Sequence, residues 1–163
     1  FTDPSNPVEI AFHDYGPTNG ESMSMGGSWS VYWYNGVIVN SEIARGLDLF
    51  KLRPSTFMTE NEIAAANTVQ WEYLNAQGQP KIYWPATFHL AKAYVDQLDR
   101  DEELSDAEIM DIRQSIARAE MANEKKQASM LKELSMSVSA KAANSTNPTK
   151  VSALAEALKN LAG

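Results

Sequence analysis

The dipeptide Asn35-Gly36 is the feature of this sequence that most restricts its fold. It stands between two runs of β-branched and aromatic residues, SWSVYWY before it and VIVNSE after it. Both residues tolerate the positive φ angles of a type I′ turn, so the pattern predicts a β-hairpin with this dipeptide at its tip. The predicted register pairs these residues across the two strands: Tyr34 with Val37, Trp33 with Ile38, and Tyr32 with Val39.

Both faces of the predicted hairpin are apolar or aromatic. One face carries Trp29, Val31, Trp33 and Ile38, and the other carries Tyr32, Tyr34, Val37, Val39 and Ile43. A hairpin with one face in water would alternate apolar and polar residues, so we expect this one to be covered on both sides.

Further strands are predicted on either side of the hairpin. Val8, Ile10 and Phe12 alternate with other residues in a strand-like pattern. A second turn at Arg45-Gly46 precedes a third strand, which draws on Leu47, Leu49, Phe50 and Leu52. Three or four strands cannot close a barrel or a sandwich. The residues that cover the two faces of the sheet would therefore come from upstream, from a partner chain or from the C-terminal half.

The C-terminal half carries signals for helix starts. Thr59 with Glu62, and Ser105 with Glu108, fit the capping box, in which the first side chain and the glutamate each bind the other's backbone N–H. Pro85 is predicted in the first turn of a helix, a further helix starts near Asn123 or Lys125, and Asn147-Pro148 fits an N-cap followed by proline.

The predicted fold class is therefore α+β, an N-terminal antiparallel β-meander followed by a small up-and-down helical bundle. We predict the meander over residues 1–54, a helical and loop connector over 55–84, and the bundle over 85–163. The helical half is the part expected to fold by itself.

Charge and composition exclude several classes of function. The net charge of −7 argues against binding to nucleic acid or to anionic lipid, which needs clustered lysine and arginine. The absence of cysteine excludes disulfides and thiolate chemistry and disfavours structural zinc. No apolar run approaches the roughly 20 residues of a membrane span. Since the chain begins with Phe1 rather than Met, we expect it to be a processed or partial product of a longer precursor.

The first third of the chain resembles the end of the bacterial LVIVD-repeat proteins. The resemblance rests on the linker Asp3-Pro4-Ser5-Asn6-Pro7, on the run from Trp29 to Gly36, and on the run from Ser41 to Asp48. It implies that the meander is like the last blade of a β-propeller in a secreted, periplasmic or cell-surface protein. It implies no catalytic residue.

Two groups of residues are candidate sites. The aromatic residues Trp29, Tyr32, Trp33 and Tyr34 could stack on sugar rings or dock a protein partner, although burial within stacked sheets is the favoured explanation. His13 and Asp14, with Glu42, could hold a metal ion. Adjacent strand residues such as His13 and Asp14 point to opposite faces, however, which makes them poor joint ligands.

The remaining motifs favour no enzyme. The acidic segment 96–108 superficially resembles a calcium loop but has Leu104 where the required glycine would stand and Met110 where the final glutamate would stand. Nucleophile elbows and phosphate-binding loops are absent from the sequence. We expect no cofactor.

The sequence therefore favours a non-enzymatic binding or scaffolding part of a secreted or envelope-associated protein, with a protein partner or the upstream part of the precursor covering the sheet. A structural subunit held in a complex by strand addition and helix packing is one alternative. The rim of a propeller enzyme whose active site lies upstream is another.

Overall fold

The predicted hairpin is present in the computed structural model of the chain, which describes residues 9–78 and 80–163. Strands β1 (Ser28–Tyr34), β2 (Val37–Glu42) and β3 (Gly46–Phe50) form an antiparallel sheet in that order. Asn35 and Gly36 have φ angles of 46° and 85°, as a type I′ turn requires. All three predicted cross-strand pairs of the hairpin are confirmed.

The second turn is also confirmed, because Gly46 has a φ of 99° where β3 begins. β3 ends at Phe50, so Leu52 lies beyond it. No strand forms at Ile10 or Phe12, so that prediction is wrong, and Val8 lies outside the described residues. The residues from His13 onward place their side chains against one face of the sheet instead of pairing with the strand at its edge. The ring of His13, for example, lies 4.7 Å from that of Phe50.

The helices begin close to the predicted caps. They are α1 (Glu60–Ala66), α2 (Phe88–Arg100), α3 (Asp106–Glu120), α4 (Glu124–Lys141) and α5 (Pro148–Leu161), with short 3₁₀ turns at Ala76–Gly78 and Ala142–Asn144. Both capping boxes form, and Asn123 and Asn147 are N-caps.

The prediction for Pro85 is wrong, because α2 starts three residues later. Thr87 is the N-cap of this helix, and its hydroxyl accepts a hydrogen bond from the backbone N–H of Leu90 at 3.1 Å. The local chemistry of a threonine cap therefore determines this helix start, and the proline precedes it.

Helices α2 to α5 enclose the hydrophobic core of the helical unit. α2 packs on α3 and α5, and α4 packs on the same two helices, so the four close around a common centre. The fully buried side chains there include Leu98, Ile109, Ile112, Ile116, Leu131, Val138, Val151, Leu154 and Leu158. The predicted bundle and the α+β class are confirmed.

The chain divides into two units. The sheet unit ends at Met58 and resumes over Val69–Ile82, whereas the helical unit contains Thr59–Thr68 and Tyr83–Gly163. The residues predicted as a connector are thus shared between the units, with α1 packing on α2. Among the described residues, no helix combines the length and the apolar character needed to cross a membrane.

Candidate functional site

One face of the sheet, called here the open face, is mostly apolar and is exposed over about half of its residues. Strand alternation and the two registers place Tyr32, Val39 and Leu49 side by side on it. The exposed fractions are 42% for Tyr32, 66% for Leu47 and 63% for Leu49. The open face consists of eight uncharged residues: Ser30, Tyr32, Tyr34, Val37, Val39, Ser41, Leu47 and Leu49.

The predicted cover is therefore incomplete on this side of the sheet, where Tyr34, Val37 and Val39 are half-buried, and more complete on the other. The opposite face, called here the covered face, consists of Val31, Trp33, Ile38, Asn40, Glu42, Asp48 and Phe50. Residues of the segment 9–27 lie against it and, with the sheet and with residues 51–57, line a solvent-open cavity of about 1290 Å³. All of this belongs to the sheet unit.

Glu42 fixes the loops at one end of the covered face. Its buried carboxylate accepts hydrogen bonds from the backbone N–H of Gly27 at 2.6 Å, of Ala44 at 2.8 Å and of Arg45. The Gly27 N–H is the main reason that the pKa of this carboxyl lies below its usual range. The carboxylate is thus used to join the turn after β2 to the residue before β1.

Asp48 joins Tyr15 to Asn40 beneath the segment 9–27. The Tyr15 hydroxyl donates to Oδ1 of Asp48 at 3.0 Å, and Nδ2 of Asn40 donates to Oδ2 at 3.0 Å. The hydrogen bond to Asp48 raises the pKa of Tyr15. Asn40 is only 4% exposed, and its Oδ1 accepts no hydrogen bond from any residue that the structure describes.

The three residues predicted to hold a metal all line this cavity. Each has another role: Glu42 binds backbone N–H groups, Asp14 accepts from the N–H of Gly16 at 2.8 Å, and the His13 ring packs edge-on against Tyr15 at 4.3 Å. In residues 9–78 and 80–163, no three histidine, cysteine or acidic side chains come together in a geometry that could hold a metal.

The four predicted aromatic residues are divided between different surfaces. Tyr32 and Tyr34 lie on the open face, where the Tyr34 hydroxyl donates to the backbone oxygen of Trp71 at 3.1 Å. Trp33 is half-buried on the opposite face. Trp29 is exposed at a bulge between Ser28 and Ser30, which removes it from the regular alternation. They do not form one stacking surface.

The acidic segment 96–108 is occupied by structural contacts. Its carboxylates bind partners elsewhere in the helical unit: Asp96 and Asp99 bind Arg113, Asp101 binds Lys150, Glu103 binds Ser145, Thr146 and Asn147, and Glu108 binds Lys141. These contacts tie the loop between α2 and α3 to later parts of the bundle.

Asn40 and Asp48 were missed by the sequence reasoning, although the sequence contains a signal for them. Asn40 follows Ile38 on one face of β2, and a polar residue that is buried there needs a partner. The register of the meander places Asp48 directly opposite it.

Comparison of the chain with protein-family models, with curated proteins and with solved structures gives no match.

Proposed function

We propose that the chain is a non-enzymatic binding and scaffolding module that packs its open face against a second β-sheet. The observation that carries the proposal is the open face itself, eight uncharged positions over three strands with Tyr32, Leu47 and Leu49 exposed. Contiguous apolar surface of this kind marks interaction sites, whereas singly scattered apolar residues do not.

The geometry of the face favours a sheet as the partner. Its side chains come from three adjacent strands and form a broad surface, whereas a helix would be accommodated by a groove. Two sheets pack face to face at about 10 Å with interdigitating apolar side chains, as neighbouring propeller blades do. The resemblance to the LVIVD-repeat proteins supports such a setting, in a secreted or envelope-associated protein.

Site-specific cross-linking tests this proposal. A photoreactive amino acid replaces Leu49 on the open face, and in a matched control it replaces Met136 of α4, which is 67% exposed. After irradiation in the native host, the probe at position 49 is expected to give one discrete product attached to a residue in a β-strand. The probe at position 136 should give none.

Three outcomes of the cross-linking contradict the proposal. The first is no discrete product from position 49, and the second is an equal product from position 136. In the third, the attachment point lies in a helix or in lipid, which would mean that the open face has a different kind of occupant. A Leu49→Lys variant that retains its sheet but still co-purifies with the same partner at the same ratio also argues against it.

A further inference from the structure

The side chain of Asn35 fastens a distant stretch of the chain to the tip of the hairpin. Its Oδ1 accepts a hydrogen bond from the backbone N–H of Trp71 at 2.7 Å, and its Nδ2 donates to the backbone oxygen of the same residue at 2.9 Å. The hydroxyl of Tyr34 donates to that oxygen as well, at 3.1 Å. We call these three hydrogen bonds the Trp71 clamp. All of its residues belong to the sheet unit.

The stretch that the clamp holds has little regular structure of its own. Residues 69–75 contain neither helix nor strand, and the short 3₁₀ turn at Ala76–Gly78 follows them. Segments with few regular backbone hydrogen bonds open locally at a smaller free energy than the sheet or helix they lie on. The Trp71 clamp is therefore expected to open much more often than the hairpin unfolds.

Asn35 is followed by glycine, which leaves its amide open to attack by the main chain. The backbone nitrogen of Gly36 forms a bond to Cγ of Asn35 while the bond from Cγ to Nδ2 breaks, and ammonia leaves with the proton of the Gly36 N–H. Water then adds to one of the two carbonyl carbons of this cyclic imide and gives aspartate or isoaspartate. Glycine has no Cβ to obstruct the attack. The clamp opposes it, because it holds both polar atoms of the amide against Trp71.

A second asparagine-glycine pair, Asn19-Gly20, provides a comparison within the same chain. Asn19 is exposed, and its side chain accepts from the N–H of Glu21 and donates to the hydroxyl of Ser22, both at 2.9 Å. These partners lie within three residues of it and are exposed as well. Asn35, by contrast, is half-buried and bound to a residue 36 positions away. The two pairs have the same reacting atoms and differ in how the fold holds them.

We propose that Asn35 is a site of spontaneous deamidation gated by the Trp71 clamp, and that its conversion to aspartate or isoaspartate releases Trp71 from the hairpin. The new carboxylate can only accept hydrogen bonds, so it cannot replace the donation from Nδ2 to the Trp71 oxygen. Isoaspartate also adds a backbone atom to a two-residue turn, which the type I′ geometry does not accommodate. The inference goes beyond the proposed function, since the reaction needs water and no partner.

The strength of the clamp sets the expected rates. Three hydrogen bonds of ordinary net strength leave it open for less than about one thirtieth of the time, equivalent to about 2 kcal/mol. Asn35 should therefore be converted at least about thirtyfold more slowly in the folded chain than in urea. Asn19 should differ by less than about threefold between the two conditions, because its loop is exposed.

The test follows both sites in the full chain by peptide mass spectrometry during incubation at mildly alkaline pH, with and without urea. Tyr34→Phe removes one hydrogen bond of the clamp and should speed the conversion of Asn35 by about three- to tenfold. Tyr32→Phe is the matched control on the same strand, because the Tyr32 hydroxyl bonds to no residue that the structure describes. It should leave the rate unchanged.

Hydrogen exchange tests the consequence of the modification. Asn35→Asp, which has the side chain of one product, should raise deuterium uptake in the peptide that contains Trp71 and leave uptake in β3 unchanged. The same measurement on Tyr34→Phe checks that its sheet is intact. If uptake in β3 rises in that variant, Asn35→Asp decides the question.

Several results would overturn the inference. One is conversion of Asn35 as fast in the folded chain as in urea, and another is equal acceleration by Tyr32→Phe. A third is an unmodified Asn35 in the Tyr34→Phe variant at a time when Asn19 is fully converted. Unchanged uptake at Trp71 in Asn35→Asp would show that the modification does not release the clamp.

Discussion

Asp96 and Asp99 form a natural pair for testing which polar contacts stabilise the helical unit. Both lie on α2, and both accept a hydrogen bond from Nη2 of Arg113 at 2.9 Å. The Asp96 side chain is 10% exposed, however, whereas that of Asp99 is 41% exposed. Replacing each by alanine removes the same charge and the same partner at two levels of burial.

The expected magnitude follows from the other contacts of Asp96. Its Oδ2 also accepts from the hydroxyl of Thr59 and from Nδ2 of Asn61, each at 2.8 Å, and so joins α1 to α2. Hydrogen bonds to a charged group contribute about 1.5–3 kcal/mol each. In Asp96→Ala, Arg113 keeps Asp99, and the two half-buried donors can reach water, so the loss is less than three full bonds.

We therefore expect Asp96→Ala to lower the free energy of unfolding by about 2–4 kcal/mol. Asp99→Ala should lower it by less than about 1 kcal/mol, as for exposed ion pairs. Asp96→Asn, which keeps one acceptor oxygen, should fall between them. Urea unfolding followed by circular dichroism at 222 nm measures all three. Equal losses for the two alanine variants would refute the reasoning that the buried contacts of Asp96 with Thr59 and Asn61 add stability beyond the ion pair with Arg113.

Three further predictions concern both units. The hydrogen bond from the Lys141 ammonium is the main reason that the pKa of Glu108 is lowered from 4.5 to about 2. The stability from this contact is therefore fully present above pH 4.5 and lost as the pH falls toward 2. Lys141→Met should reduce the drop in melting temperature between about pH 6 and pH 2.5, and an unchanged drop would contradict it. Leu154→Ala in the fully buried core should cost about 3–5 kcal/mol in urea unfolding. Gly36→Ala, at a φ of 85°, should cost the sheet unit about 1–2 kcal/mol, seen as faster hydrogen exchange in β1 and β2.

Local chemistry made the hairpin and most helix starts predictable. The Asn35-Gly36 turn and the two capping boxes each depend on residues within a few positions of one another, so the sequence contains the whole interaction. The same holds for Asn147, whose side chain accepts from the N–H of Lys150. At Pro85, two local signals competed, and the hydrogen bond of the Thr87 cap determined the outcome.

Contacts between distant residues were less predictable. An alternating pattern such as that of Ile10 and Phe12 shows that side chains have two environments, but it does not specify a hydrogen-bonded neighbour. Here the segment crosses the face of the sheet and meets it through Tyr15 and Asp48, which are 33 positions apart. The network of Asp96 with Thr59 spans 37 positions and likewise could not be deduced from spacing.

The two apolar faces of the meander, which look alike in the sequence, differ in what lies among their apolar residues. The covered face includes Asn40, Glu42 and Asp48, and the chain's own loops supply donors to both carboxylates. The open face includes no group that needs a charged or strongly polar partner. Polar groups fix the register and identity of what binds, whereas apolar area only favours contact. On the covered face these polar groups therefore fix how the chain's own loops meet the sheet, whereas the open face offers apolar area without such a constraint.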